Sequence, residues 1–171
     1  MFTRAGRAAI LDKKVFTEAF FDGDSVADGA IIVALVGATT YLGTLAWHGA
    51  FGLFSIPGLF QSLLAAVVSW LILAFSTWFA ASRLFGSTNR PQSMMAMHGL
   101  APLPLILEIA GGVAAGVGLI WYLVILVVAT MEASDLEVKK AGVSVLIGFA
   151  VAALVRALIG VPFAVLGSIF G

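Results

Sequence analysis

The chain has 171 residues, nine Lys or Arg against nine Asp or Glu, and 61% apolar side chains, with a mean hydropathy of +1.11. That composition leaves too little polar surface to coat a soluble globule, and a net charge of zero argues against a polyanion-binding face, so no nucleic acid partner is expected. The absence of Cys excludes disulfides, thiolate metal sites and a cysteine nucleophile.

In chain order, residues 1–28 come first, as a cytoplasmic entry segment. Their mixed charges do not form a basic n-region leading into an apolar h-region and a cleavage site, so no signal peptide is expected and Met1 is expected to begin the mature chain. Ala8, Leu11, Val15, Phe16, Ala19 and Phe20 follow helical spacing, with Arg4, Arg7, Asp12, Lys14 and Glu18 on the other faces. The pattern predicts one amphipathic helix lying on the cytoplasmic leaflet, its aromatic rings at headgroup depth or against the rim of a bundle. Anchoring and partner docking are both compatible with it. The Asp22-Gly23-Asp24-Ser25 turn ends this helix, and Asp24 or Ser25 is the candidate cap of the next.

Five apolar stretches follow, at 29–49, 60–82, 94–110, 112–131 and 141–161, each near the ~20 residues that a helix needs to cross a bilayer. The predicted fold class is all-α: a polytopic bundle of five transmembrane helices over 29–171. Eight of the nine positive residues (Arg4, Arg7, Lys13, Lys14, Arg83, Arg90, Lys139 and Lys140) fall on the N-terminal segment and on alternate connections. The positive-inside rule then places the N-terminus in the cytoplasm and the C-terminus outside. Residues 162–171 are too few for a sixth span and are expected to extend the last helix, with a kink at Pro162.

The third span carries Pro102 and Pro104 within one turn, so two helical hydrogen bonds are missing there. Such a break is tolerated in a bilayer where neighbouring helices, side chains or water satisfy the freed carbonyls, which predicts an interior, kinked or unwound segment. Gly111-Gly112 leaves almost no loop before the fourth span. Gly112 and Gly116 form a small-xxx-small pair that permits close helix packing, within the monomer or between two copies.

Glu108 and Arg156 are the charged residues inside the apolar stretches. At about 1.5 Å per residue they lie at matched depths, roughly 21 and 22 Å from the cytoplasmic ends of their spans. An intramembrane charge faces the protein interior or water and finds a partner. Three readings follow: a structural Glu108–Arg156 salt bridge, an outward-facing polar cavity lined by Glu108, Arg156 and His48, or an Arg156 that snorkels to the headgroups. His98, at the inner end of the third span, reads as an interfacial polar residue. Glu132, Asp135 and Glu137 beside Lys139 and Lys140 read as a solvated turn without calcium-loop spacing. No nucleophile elbow and no phosphate loop occurs, so no catalytic residue, cofactor or metal site is expected.

Ala9-Ile10-Leu11-Asp12-Lys13-Lys14-Val15-Phe16 with its acidic turn, Arg83-Leu84-Phe85-Gly86 before a short polar connection, His98-Gly99-Leu100-Ala101-Pro102-Leu103-Pro104, and the stretch from Trp121 to Val145 occur in this order. In that order and in the five-span count, the chain resembles bacterial Yip1-domain proteins. The resemblance implies a small helical membrane module without an established catalytic site; the entry segment is shorter than the one through which eukaryotic relatives associate with small GTPases. The functional expectation is a non-catalytic protein of the bacterial inner membrane, in contact with lipids and with other membrane proteins or further copies of itself. Its role would be that of a scaffold, adaptor or accessory subunit. The alternative is a small-solute or ion transporter, for which the broken third span and the Glu108–Arg156 pair speak.

Overall fold

The computed structural model describes residues 1–170 apart from 48 and 50, with side chains described through 155 apart from that of 51. The described chain is all-helical. Helices α1 (Phe2–Ala9) and α2 (Lys13–Phe21) precede α3 (Ser25–Trp47), α4 (Ile56–Phe85), α5 (Pro91–Gly99), a 3₁₀ segment (Leu103–Ala110), α6 (Gly112–Ser134) and α7 (Val138–Phe170). Five units are long and apolar enough to cross a membrane: α3, α4, α5 with the 3₁₀ segment, α6, and Val138–Val155 of α7. The chain is therefore an integral membrane protein.

Helix ends extend past the apolar stretches because polar residues cap them. The Ser55 side chain accepts a hydrogen bond from the Gly58 amide at 3.1 Å and opens α4. Gly86 closes α4 in the left-handed conformation, with φ +71°, and the following Ser87 N–H bonds Ala81 O at 3.2 Å. Asp28 lies in the first turn of α3, where the helix dipole favours a negative charge.

The entry segment differs from expectation in forming two helices, because Leu11 turns the chain at φ +61° and Asp12 caps α2 by accepting from the Lys14 amide. Of the two partners expected for its apolar face, the bundle takes part of it: Ala5, Ala8, Val15 and Phe16 are fully buried in one cluster with Met94, Met97, Leu100 and Ile125. Helix α2 packs on α5 and α6, and α1 reaches the 3₁₀ segment. The short α5 leaves a groove that one continuous α-helical span would have filled, and the small and apolar face of the hairpin occupies it. Phe2, Ile10 and Phe21 remain as its outward apolar residues.

Ion pairs tie this hairpin together. Arg4 pairs with Asp22, and Arg7 pairs with both Asp12 (2.8 Å) and Glu18 (2.9 Å). Lys13 reaches Glu132 of α6 at 3.0 Å, while the Trp121 indole N–H donates to Ala9 O at 2.7 Å. Hydrogen bonds from Arg4 and Arg7 hold the Asp22 and Asp12 carboxyls below the usual carboxylate range. A depressed carboxylate contributes stability that is fully present above its unfolded pKa of about 4 and is lost as pH falls through the folded value. Protection of the hairpin from proteases chosen to be active at each pH is thus expected to stay constant between about pH 7 and pH 5 and to decline only in acid below about pH 4. A loss of protection near neutrality would contradict these pairings.

Candidate binding cleft

The two prolines decide the shape of the third span. Helix α5 ends at Gly99, Leu100 and Ala101 turn, and the chain resumes with a 3₁₀ segment whose first turn contains Pro104. The freed polar groups find local partners: the Leu100 amide bonds Met97 O, Ala101 bonds His98 O and Leu105 bonds Pro102 O. The lower half, α5, packs on α3, α4 and α6, whereas the main contacts of the 3₁₀ half are with α3 and α6. Between the 3₁₀ half on one side and α4 and α7 on the other, the bundle stays open.

That opening is a cavity of about 380 Å³. Thr40, Ser62, Ser69, Glu108 and Tyr122 supply its polar lining, and Val33, Leu73, Phe149 and Ala152 are among its apolar walls. Its floor is tight: Trp70 packs on Gly29 and Gly99, the point of closest approach between α3 and α5. The cleft's polar residues Thr40, Ser62 and Glu108 lie on the parts of α3, α4 and the 3₁₀ segment nearer the end where Gly111 turns the chain.

Glu108 is exposed to the cleft, and its Oε2 accepts a hydrogen bond from Thr40 Oγ1 at 3.1 Å. A carboxylate has about four acceptor positions, so most of its capacity is directed at whatever enters. Neighbouring Ile109 lies against Gly43, four residues from the end of α3. The α-helical count of depth does not hold for Glu108, because the second half of its span is a 3₁₀ segment that rises about 2.0 Å per residue after a turn. Arg156 and His48, the other expected members of this group, lie outside the described side chains.

The remaining sequence-derived positions separate. Pro102 lines the cleft and Pro104 is buried, its carbonyl oxygen 2.6 Å from where a Cβ on Gly118 would stand. Gly118 is therefore the glycine of the fourth span that admits the third. Among the described residues nothing lies within 4 Å of a Cβ built on Gly112 or Gly116. The chain enters α6 through a turn at Gly111 (φ +65°) and Gly112 (φ +47°). Gly111 itself sits under the Trp47 ring.

His98 is fully buried, not interfacial. Its Nε2 lies 2.9 Å from Thr130 Oγ1, and the Thr130 hydroxyl donates to Leu126 O at 2.8 Å. With that proton committed, Thr130 accepts, which assigns Nε2–H to His98. The pair fastens α5 to α6 below the cleft.

Sequence reasoning missed Thr40, Ser62, Ser69 and Tyr122. The available signal was spacing: Val33, Gly37 and Thr40 on α3, and Ser62, Ala66, Ser69 and Leu73 on α4, recur at three- and four-residue intervals as stripes of small or polar residues. Among the described residues no three His, Asp or Glu side chains converge as a metal site. No family model, curated protein or solved structure matches this chain.

Proposed function

We propose that this protein is a non-catalytic membrane protein that binds a small solute in the cleft beside its broken third span, as a transporter or the solute-binding part of one. The observation that supports this most is Glu108, a carboxylate held by Thr40 in a polar-lined cavity within the membrane-spanning bundle. Intramembrane carboxylates mark solute and ion pathways, and discontinuous spans recur at transporter sites. The carboxylate selects a cation or an N–H donor; the hydroxyls of Thr40 on α3, Ser62 and Ser69 on α4 and Tyr122 on α6 line the cleft around it. Arg156 follows Ala152 and Ala153 of the cleft wall on α7 and is the proposed counter-charge of Glu108 when the cleft is empty. A homo-oligomer in the bacterial inner membrane, N-terminus in the cytoplasm, accords with the positive residues gathered at one end and with the Yip1-like order of segments.

The test uses the purified chain in detergent, melted against methylammonium, ethanolammonium, glycine and acetate. At least one amine is expected to raise the melting temperature saturably, and Glu108→Gln to abolish the rise. Absence of any shift, or a shift that persists in Glu108→Gln, contradicts the reading. If Arg156 is the counter-charge, Glu108→Gln and Arg156→Gln singly destabilise the empty protein, by less than the ~3–5 kcal/mol of a fully buried pair because Glu108 is exposed to the cleft. The double variant recovers much of that loss; additive losses separate the two residues.

A second reading, a scaffold or accessory subunit, draws on the Gly112–Gly116 face, which no described residue fills. It predicts a stoichiometric, unrelated membrane protein in gentle affinity purification, lost when Gly116 is replaced by leucine.

A further inference from the structure

At the N-terminal end of the bundle a second cavity, of about 360 Å³, lies between α2, the start of α3 and the start of α5. Its lining includes Phe20, Phe21, Asp22, Arg90, Gln92 and Ser93. Helix α5 opens there with Arg90 as N-cap, no side-chain cap and Pro91 in its first turn. Pro91 has no N–H, and the amides of Gln92 and Ser93 precede the first intrahelical acceptor, so both are free to donate. Ser93 is only 8% exposed, yet it lines the cavity and its hydroxyl makes no hydrogen bond with a described residue. That hydroxyl is not sealed from solvent, so it is open to the cavity that the residue lines. Arg90 is exposed and forms none of the ion pairs among the described residues.

One carboxylate borders the cavity, and it is already engaged: Asp22 pairs with Arg4 and accepts the Asp24 amide. The open donors thus converge without a free negative charge in the lining. They are a guanidinium, two helix N-terminal amides and a hydroxyl, which suit a tetrahedral anion with several acceptor oxygens. Phe21, 81% exposed, places an aromatic ring at the cavity edge, where the interface favours such rings.

We propose that this cavity binds a phosphate group, with Arg90, the Gln92 and Ser93 amides and the Ser93 hydroxyl donating to its non-bridging oxygens. A phospholipid headgroup and free phosphate present the same chemistry. Lipid would add contacts to Phe20 and Phe21. This site is independent of the cleft at Glu108.

The test takes the full chain in non-ionic detergent, stripped of lipid, and titrates it at constant ionic strength with dihexanoylphosphatidylglycerol and, separately, with inorganic phosphate, following the melting temperature. A saturable rise is expected, weakened about tenfold or more by Arg90→Gln and about fivefold by Ser93→Ala, as loss of a charge-assisted and a neutral hydrogen bond implies. Arg83→Gln, whose guanidinium lies 5.6 Å over the Phe79 ring, leaves the titration unchanged. Saturation by the lipid alone supports a headgroup site; equal saturation by inorganic phosphate supports a free-phosphate site. The proposal is overturned if neither titrates saturably, or if both variants titrate like the parent chain. Should Arg90→Gln lower the melt of the unliganded protein, Ser93→Ala, which removes a single atom, decides the matter.

Discussion

Valine at Gly99 is expected to cost about 2–3 kcal/mol of stability, as overpacking of a closed interface does. A Cβ there would stand 2.5 Å from the Gly29 Cα, 3.1 Å from the Gly29 carbonyl carbon and 3.3 Å from the Trp70 ring. The first two neighbours are backbone of α3, which has no rotamer to change, so α3 and α5 must separate and the cleft floor must open. Gly29→Val meets the same obstacle from the other side, its Cβ 2.9 Å from the Gly99 Cα. Gly116→Ala is the control: with no described residue within 4 Å of its Cβ, it is expected to leave stability unchanged or raise it by about 0.5–1 kcal/mol through helix propensity. Thermal unfolding in detergent measures all three. A Gly116→Ala loss as large as that of Gly99→Val would show that α6 packs through its other face.

Phe16→Ala is expected to destabilise the docked hairpin by about 3–5 kcal/mol, the usual range for deleting a buried phenyl ring. Phe16 is 0% exposed, and its neighbours in the core come from α5 and α6, so the cavity left behind cannot fill from solvent. Because the hairpin is joined to α3 only by Asp22, Gly23 and Asp24, its loss need not unfold the bundle. Release should therefore appear as tryptic cleavage at Lys13 and Lys14 in a chain that still melts cooperatively. Phe16→Asp enlarges the effect by burying a charge. Phe21→Asp, at an exposed position, should leave cleavage unchanged. Equal sensitivity of both variants would mean that the hairpin attaches through its outer face.

The five spans were legible because a bilayer imposes length and apolarity on every crossing helix, and charge at the ends marked their limits to within a few residues. The break in the third span was legible from Pro102 and Pro104, whose missing amides act locally. What local pattern does not carry is rotation. Gly112 and Gly116 carry the packing motif, yet the glycines that meet neighbouring backbone among the described residues include Gly29, Gly99 and Gly118, and that depends on helix rotation. The docking of α1 and α2 was hidden for a related reason: an amphipathic face that can meet lipid can equally meet a groove, and the groove exists only once α5 has ended early. Glu108 stood out as an intramembrane charge. Thr40 and Ser62 did not, since single hydroxyls inside apolar helices normally bond their own backbone.

The chain has no cysteine, so a single introduced thiol reports on its own surroundings. Ser62 lines the cleft on α4 and donates to Gly37 O at 3.0 Å; Thr88 lies exposed in the connection after α4, at the other end of the bundle. In sealed membrane vesicles of known orientation, a membrane-impermeant thiol reagent should label Ser62→Cys only from the side opposite to that which labels Thr88→Cys, and a solute that binds at Glu108 should slow the reaction. Labelling of both positions from one side, or no labelling of Ser62→Cys from either, would show that the cleft is not a water-filled site opening away from the N-terminal end.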